Sequence, residues 1–371
     1  MSREDQGPGT LTPDRDDDVD FLPDGEEDEA AEIQRTRRRR RHIFTALGVS
    51  VLVLLLLLGG GVWYLTDRYA GNVDRIGDVF AEIPEDSRPA PASPTKAGVD
   101  GTPVTFLLIG SDSREATAEG AAPGARSDAI MIARISADRE HAQVISIPRD
   151  SWVDIPGYGL NKINASYAFG GPTLLIQTVE QLTGVRIDHF AAIDFEGLAQ
   201  VTDALGGVDV MVAETTTNGG FTFEQGMNHI TGEEVRWYLG QRYGLPGGDF
   251  DRVKRQQQFI KAVMDQLISN ETFSDLGRLD ASLRAVGDSL AVDSGLGNRA
   301  MLSMAYSMRN LEQSGIEFFT APVLGTGMEG PASVVYLDDT KAESMWDYLR
   351  TDSLGENAAE FDDESLPDTP R

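Results

Sequence analysis

The sequence predicts an α/β fold: an α/β/α sandwich around a mixed central sheet, preceded by one transmembrane helix. Three observations carry this. Apolar runs of β type, such as VTFLLIG from Val104 to Gly110, recur in the middle of the chain and are continuous enough to be covered on both faces. They alternate with segments whose apolar residues repeat at helical spacing, the pattern of layered α/β domains. Ahead of both, Ile43 to Leu65 is uncharged and contains VLVLLLLL, long enough to cross the hydrocarbon of a bilayer.

In chain order, residues 1–34 carry thirteen acidic and two basic side chains and few branched apolar ones, which predicts a disordered cytoplasmic segment, 1–42. Arg35 and Arg37 to Arg41 form a basic cluster directly before the apolar run, and Trp63 and Tyr64 end it. Arginines on one side and an aromatic belt on the other place the N-terminus in the cytoplasm and everything after Thr66 outside, with 43–65 as a single-pass anchor in the cell membrane. The run is too long, and its leading tail too extended, for a cleaved signal peptide. Residues 66–102 are polar and rich in proline toward their end, and are expected to form an extracytoplasmic stalk. One folded domain is then expected over 103–350. Residues 351–371 hold seven acidic side chains and one basic, which predicts a second disordered acidic tail. The formal net charge of -28 disfavours a nucleic-acid partner. There is no cysteine, which excludes thiol chemistry and cysteine metal sites. The four histidines, His42, His141, His189 and His229, lack the spacing of a zinc site.

Within the domain, three strands are expected first: VTFLLIG, then AIMIARI after Arg126-Ser127-Asp128, then Gln143 to Ile147 ending at Pro148-Arg149-Asp150. Short connections make them antiparallel neighbours. The end of the first, the start of the second and the end of the third then share one sheet edge. Asp112, Arg114, Arg126, Asp128, Arg149 and Asp150 converge there, where α/β sheets usually bind ligands. A glycine-rich loop with Lys162 and Asn164 follows, then a helix from about Pro172 to Leu182, a strand Asp188 to Ile193, a helix Phe195 to Leu205 and a strand Val208 to Val212. A helix from about Gly232 to Tyr243 leads into LPGGDFDRVKRQQQ (Leu245 to Gln258). Beyond it, helices are expected near Leu276–Leu290, Leu296–Leu311 and Asp339–Leu349, and strands near Ile316–Ala321 and Val334–Leu337, with no chemistry assigned to them.

LPGGDFDRVKRQQQ reads as a helix start, with Asp249 or Asp251 capping the first turn. Its inward stripe, Phe259, Ile260, Val263, Met264 and Leu267, becomes Gln256 and Arg252 toward the N-terminus. Such a change at a helix N-terminus is costly unless an anion waits there, and both helix N-termini and arginine suit phosphate. Asp112 and Asp128 are candidate ligands for Mg²⁺ or a similar divalent cation, which takes one or two carboxylates plus phosphate oxygens. Arg126, Arg149, Arg242, Arg252 and Arg255 are candidates to neutralise the phosphate, as clamps and transition-state stabilisers, since arginine is no base near neutral pH. No Walker motif or GxGxxG is present, so a nucleotide is not supported. A lipid-linked phosphate or pyrophosphate suits a tethered domain whose charged cluster adjoins an aliphatic helix face.

GSDSR, RSDAIMIARI, SIPRDSWVDIPG with LNKINASYAFGG, DHFAAIDFEGLAQVTDALGGVDV and QRYGLPGGDFDRVKRQQQFI, in that order after an apolar run, resemble the LytR-CpsA-Psr family over roughly residues 103–270. The resemblance implies a membrane-anchored, extracytoplasmic enzyme of cell wall assembly. Such an enzyme transfers a glycopolymer from a polyprenyl-pyrophosphate carrier to peptidoglycan, with Mg²⁺ at the pyrophosphate and a deep apolar pocket for the lipid. It matches Asp112 and Asp128 to the metal site, and Arg126, Arg149, Arg242, Arg252 and Gln256 to the pyrophosphate. The composition is similar to that of actinobacterial members, whose polymer would be arabinogalactan or a related glycan. The chain departs from the family at one point: an Arg-x-Arg pair usually precedes LPGGD, and its first position here is Gly240. In a helix, Arg236 lies one turn earlier on nearly the same face, so either it compensates or it is merely exposed. Two other readings remain open, a hydrolase that frees the head group without an acceptor and a non-catalytic lipid-binding or regulatory protein of the envelope.

Overall fold

In the computed structural model, residues 68, 71, 73–92, 101–111, 127–241, 244–367 and 369 are described. They belong to one compact unit. The apolar run 43–65 lies outside them; among the described residues no helix is long and apolar enough to cross a membrane.

The order of elements is β1 (Asp74–Ile76), β2 (Val104–Ser111), β3 (Ser127–Ile135), β4 (Ala142–Ile147), β5 (Trp152–Ile155), β6 (Gly159–Lys162), α1 (Ile163–Thr183), β7 (His189–Asp194), α2 (Phe195–Leu205) and β8 (Val208–Val212). Then come β9 (Thr216–Asn218), β10 (Phe221–Phe223), β11 (Gly226–Ile230), α3 (Gly232–Leu239), α4 (Asp249–Leu267), α5 (Asn270–Ser274), α6 (Leu276–Ser289) and β12 (Leu290–Asp293). The chain closes with α7 (Asn298–Ser307), β13 (Ile316–Thr320), β14 (Val323–Glu329), β15 (Ala332–Leu337) and α8 (Asp339–Arg350).

Among the described residues, seven strands form the central sheet in the order β1-β12-β7-β2-β3-β4-β13. It is mixed, as expected: β2, β3 and β4 are antiparallel neighbours, while β2 runs parallel to β7 and β4 to β13. Alternation along the strands feeds two layers. Leu107, Ile109, Ile130, Ile132 and Ile145 pack against Leu175 and Ile176 of α1 and Trp346 of α8. On the other face Met131 and Val144 pack with Ile260 and Met264 of α4.

Three segments depart from expectation. Residues 73–92 are not a detached stalk. Val73, Ile76, Val79 and Ile83 are buried, β1 extends the sheet beside β12, and Arg88 donates to Glu180 of α1 at 2.7 Å. A sparse apolar spacing, hidden among polar residues and prolines, is enough for one edge strand. The acidic tail is likewise not detached. Leu354 and Phe361 are each 1% exposed, and Leu366 N–H donates to the Phe318 carbonyl at 2.9 Å. Two anchoring apolar side chains and the open edge of β13 outweigh the charge of the segment. Finally, the span α1 holds two helices: an unexpected one opens at Ile163, Gly170 and Gly171 leave the helical conformation, and the second begins at Pro172, as expected.

Candidate functional site

The shared sheet edge is formed as the antiparallel pairing requires. Ser111 closes β2 opposite Ser127, which opens β3, and Arg149 follows the end of β4. Asp112, Arg126 and Arg242 lie outside the described residues; the first two are covalent neighbours of Ser111 and Ser127. What is described at this edge is a ring of two arginines and two aspartates. Arg149 Nη1 donates to Asp128 Oδ1. Arg252 reaches over from α4, with Nη1 at 3.8 Å from Asp128 Oδ1 and Nη2 at 2.7 Å from Asp249 Oδ1. Arg149 Nε, 3.8 Å from Asp249 Oδ1, completes the ring. Arg252 is 1% exposed and Asp128 6%, so each needs its partners in place of water. Asp249, with its side chain 30% exposed, is the member open to exchange.

The first turns of α1 hold this edge from behind. Asn164 N–H donates to the Arg149 carbonyl at 3.1 Å and Ile163 N–H to that of Ser151 at 2.8 Å. Lys162 reaches Asp150 at 3.2 Å.

The helix start differs from the expected cap. Gly248 is the N-cap residue, with φ 58° and no side-chain cap, a conformation glycine adopts without strain. Asp251 turns back to accept from Gly247 N–H at 2.6 Å, while Asp249 is taken by Arg252. The i, i+3 spacing of Asp249 and Arg252 is the signal that would have shown it.

The inward stripe of α4 is as the sequence indicates. Beyond Arg252 comes Gln256, 4% exposed, and then Ile260, Val263 and Met264, which line an apolar cavity of about 200 Å³. Its other walls include Leu108 of β2, Ala192 of β7, Leu198 of α2 and Val286 of α6. Gln256 is on that lining, and its Nε2 has no hydrogen-bond acceptor among the described residues. The α6 wall escaped the sequence reading, because an apolar helix face looks the same whether it packs or lines a space.

Arg255 is not at this site. It donates from Nη1 to Gln241 Oε1 at 2.9 Å and from Nη2 to Thr216 Oγ1 at 3.2 Å, and lies over the Tyr238 ring. Burial pulls its pKa down, against the pull of Tyr238 and Asp251. Its place on α4, 60° away from Arg252 about the axis, turns it toward the segment just before Arg242. Burial also pushes the Tyr238 hydroxyl up to about 12. Gly240 ends α3 in ordinary helical conformation, and Arg236 is exposed over the Trp237 ring at 5.9 Å. As for a cation, no three Asp, Glu, His or Cys side chains gather into a metal-sized group among the described residues. Asp128 offers one hard oxygen donor already shared with arginine, which fits a cation held mainly by phosphate oxygens and not an all-protein cage.

The model of the LytR_cpsA_psr family matches residues 82–351. The chain belongs to the LytR_cpsA_psr family. It is 37% identical over 215 residues to a polyisoprenyl-teichoic acid–peptidoglycan teichoic acid transferase, TagU, of Halalkalibacterium halodurans, covering 57% of this chain and 68% of that one. It is 29% identical over 370 residues to the cell wall biosynthesis protein LcpA of Corynebacterium glutamicum, covering 88% of this chain and 68% of that one. The latter agrees with the actinobacterial likeness of the sequence. The fold matches the crystal structure of B. subtilis TagV with a TM-score of 0.56 at 25% identity, over 68% of this chain and 98% of that one. Family membership covers both the ring at the sheet edge and the cavity behind it.

Proposed function

We propose that this family member is a cell-wall glycopolymer transferase that moves a glycan from a polyprenyl-pyrophosphate carrier to peptidoglycan. The observation that carries the reading is the stripe of α4: a buried arginine, then a glutamine whose amide lacks an acceptor among the described residues, then the aliphatic wall of a cavity. A pyrophosphate with an isoprenoid tail has that sequence of polarity. In the reaction, an acceptor hydroxyl attacks the phosphorus that carries the sugar. A P–O bond to the acceptor forms, the bridging P–O bond breaks, polyprenyl phosphate leaves, and the hydroxyl proton goes to solvent. Arg149 and Arg252 stabilise the charge on the phosphoryl oxygens, and the pyrophosphate displaces Asp249 from Arg252 on arrival. Mg²⁺, held by Asp128 and Asp112, would neutralise the remaining phosphate charge. Residues 43–65 anchor the chain in the cell membrane, with the catalytic domain on the extracytoplasmic side where peptidoglycan lies.

The test is incubation of the full chain with a short-chain lipid-pyrophosphate sugar, with and without peptidoglycan fragments. A covalent sugar-phosphate–peptidoglycan product supports the transferase, and chelation of divalent cations is expected to suppress it. Free sugar phosphate in both arms makes the protein a hydrolase, and binding without turnover makes it a carrier-binding protein.

A further inference from the structure

Arg68 stands three residues after the last residue of the apolar run. It is clamped to α6 by a two-pronged ion pair, Nε to Asp280 Oδ1 and Nη2 to Asp280 Oδ2, both at 2.7 Å. Arg284, one turn further along α6, grips the same carboxylate. Three residues span at most roughly 10 Å, so α6 is tied to the point where the run ends by no more than that length of chain and one salt-bridged pair of side chains.

Close to that clamp, the elbow between α5 and α6 exposes large apolar side chains. Leu276 is 77% exposed, the most among the described large hydrophobics, and Phe273 is 55% exposed. Leu276 lies four residues before Asp280, about 6 Å along the helix. Few side chains of α6 are fully buried, only Ser282 and Gly287. From Leu276 the same helix runs about 15 Å to Val286, which lines the apolar cavity.

We infer that the α5–α6 elbow, through Phe273 and Leu276, is seated in the outer face of the membrane that holds the anchor. The placement rests on the anchor proposed above. The occupant is a lipid surface because of where the apolar run ends: the clamp ties α6 to Arg68, at most roughly 10 Å of chain beyond the run, and the elbow lies about 6 Å further along the helix. Interfacial apolar side chains sink roughly 5–10 Å into that boundary. The charges agree with an apolar contact and not an electrostatic one, since Glu271 is paired with Arg278 and Asp280 with Arg68 and Arg284. Two side chains alone bind weakly, but the tether makes their contact intramolecular. In this arrangement α6 runs from the bilayer to the cavity wall at Val286, and it sets the face of the domain on which a lipid substrate arrives.

The chain has no cysteine, so Leu276→Cys accepts a single environment-sensitive dye. The full chain is reconstituted into phosphatidylglycerol–phosphatidylcholine vesicles with or without brominated acyl chains and recovered by flotation. Leu324→Cys, in the β14–β15 hairpin and 74% exposed, serves as the comparison. The expected result is a blue shift and loss of most of the emission to bromine at position 276, and neither at 324. Asp280→Ala, which releases Arg68, should reduce the quenching at 276 while flotation is unchanged. Flotation without quenching at 276, or equal quenching at both positions, overturns the proposal. So does a blue shift at 276 that ignores bromine and grows with protein concentration, which would assign the elbow to a second copy of the chain. Failure to float would bring down the anchor reading and the seated elbow with it, a result distinct from flotation without quenching.

Discussion

Strand β3 has a buried arginine cluster at each end, and only the one at its start adjoins the cavity. At its start, Asp128 holds Arg149 and approaches Arg252. At its end, Arg134 is 2% exposed, donates to Thr105 Oγ1 at 2.7 Å and to the Arg350 carbonyl at 3.3 Å, and lies 3.8 Å from Asp352. Burial lowers the Arg134 pKa, against Asp352 and Asp188, which raise it. Burial does not separate the two ends. Nor does ion-pair geometry, since Arg149 Nε and Arg134 Nε each stand 3.8 Å from a carboxylate. The surroundings do. At the far end the chain closes over the pair: Asp352, with φ 56°, also accepts from Ala137 N–H at 3.1 Å. At the near end the arginines adjoin a cavity whose lining holds an amide without an acceptor among the described residues, and their most exposed partner is Asp249. A buried charge marks function only when its surroundings leave hydrogen-bonding capacity and room for a ligand.

The largest expected effect is a crossover between the two ends. Arg149→Ala and Arg252→Ala should each reduce transfer by roughly 10²–10³, as for the loss of one preorganised donor to a transition-state oxyanion. Arg134→Ala should leave turnover per folded molecule near wild type and lower stability by about 3–5 kcal/mol, because Asp352 would remain buried without its partner. Steady-state rates beside denaturant melts decide it. If Arg134→Ala lost turnover as severely as Arg252→Ala, the two ends would not differ in kind.

A second prediction sharpens the near end. Gln256 Nε2 is buried without an acceptor among the described residues, and an unmet buried polar group costs about 1–3 kcal/mol. Gln256→Leu should therefore hold or raise the melting temperature while weakening lipid-pyrophosphate binding. Lower stability together with unchanged binding would assign Gln256 to packing.

The contrast also explains what was legible in the sequence. The strands that carry the site, and the change from aliphatic to arginine along α4, are periodic and local, and could be read directly. Asp128, Arg149 and Arg252 meet because antiparallel pairing forces their positions together. Asp249 was harder, since one carboxylate can cap its own helix or pair with Arg252, and tertiary geometry chooses. Arg255 shares a motif with Arg252 but not its face, a distinction that one helical step decides. The far end was not legible at all: Arg134 sits within an apolar strand and Asp352 within an acidic tail, and nothing local links them across more than two hundred residues. Residues 73–92 escaped for the same reason, since their partners, Glu180 and β12, are remote in sequence.

A smaller effect concerns Gly240. Because Arg236 is exposed over Trp237, Arg236→Ala should change transfer by less than about twofold, a surface-scale change. A tenfold loss of transfer would show that Arg236 reaches the phosphate, and would extend the near-end cluster beyond Arg149 and Arg252.

The smallest effect is titration at the closed end. The turn that joins β3 to β4 is fastened by Asp138, which accepts from Glu140 N–H at 2.9 Å and lies 3.2 Å from His141 Nδ1. Partial burial pushes the Asp138 carboxyl up, but the Glu140 N–H and His141 together outweigh it and hold the pKa below its ordinary value. A carboxyl depressed in the folded state contributes stability above its unfolded value, about 3.9, and loses it as pH falls through the folded value. Asp138→Asn should therefore flatten the fall of melting temperature with acid below about pH 4 and lower it slightly at neutral pH. The pair is partly solvated, so the effect at neutral pH should stay under about 1 kcal/mol. Transfer per folded molecule at neutral pH should not change, because the turn and the arginine–aspartate ring lie at opposite ends of one strand. An unaltered acid slope in Asp138→Asn would remove the turn from the account. Altered transfer without altered stability would show that the two ends of β3 communicate.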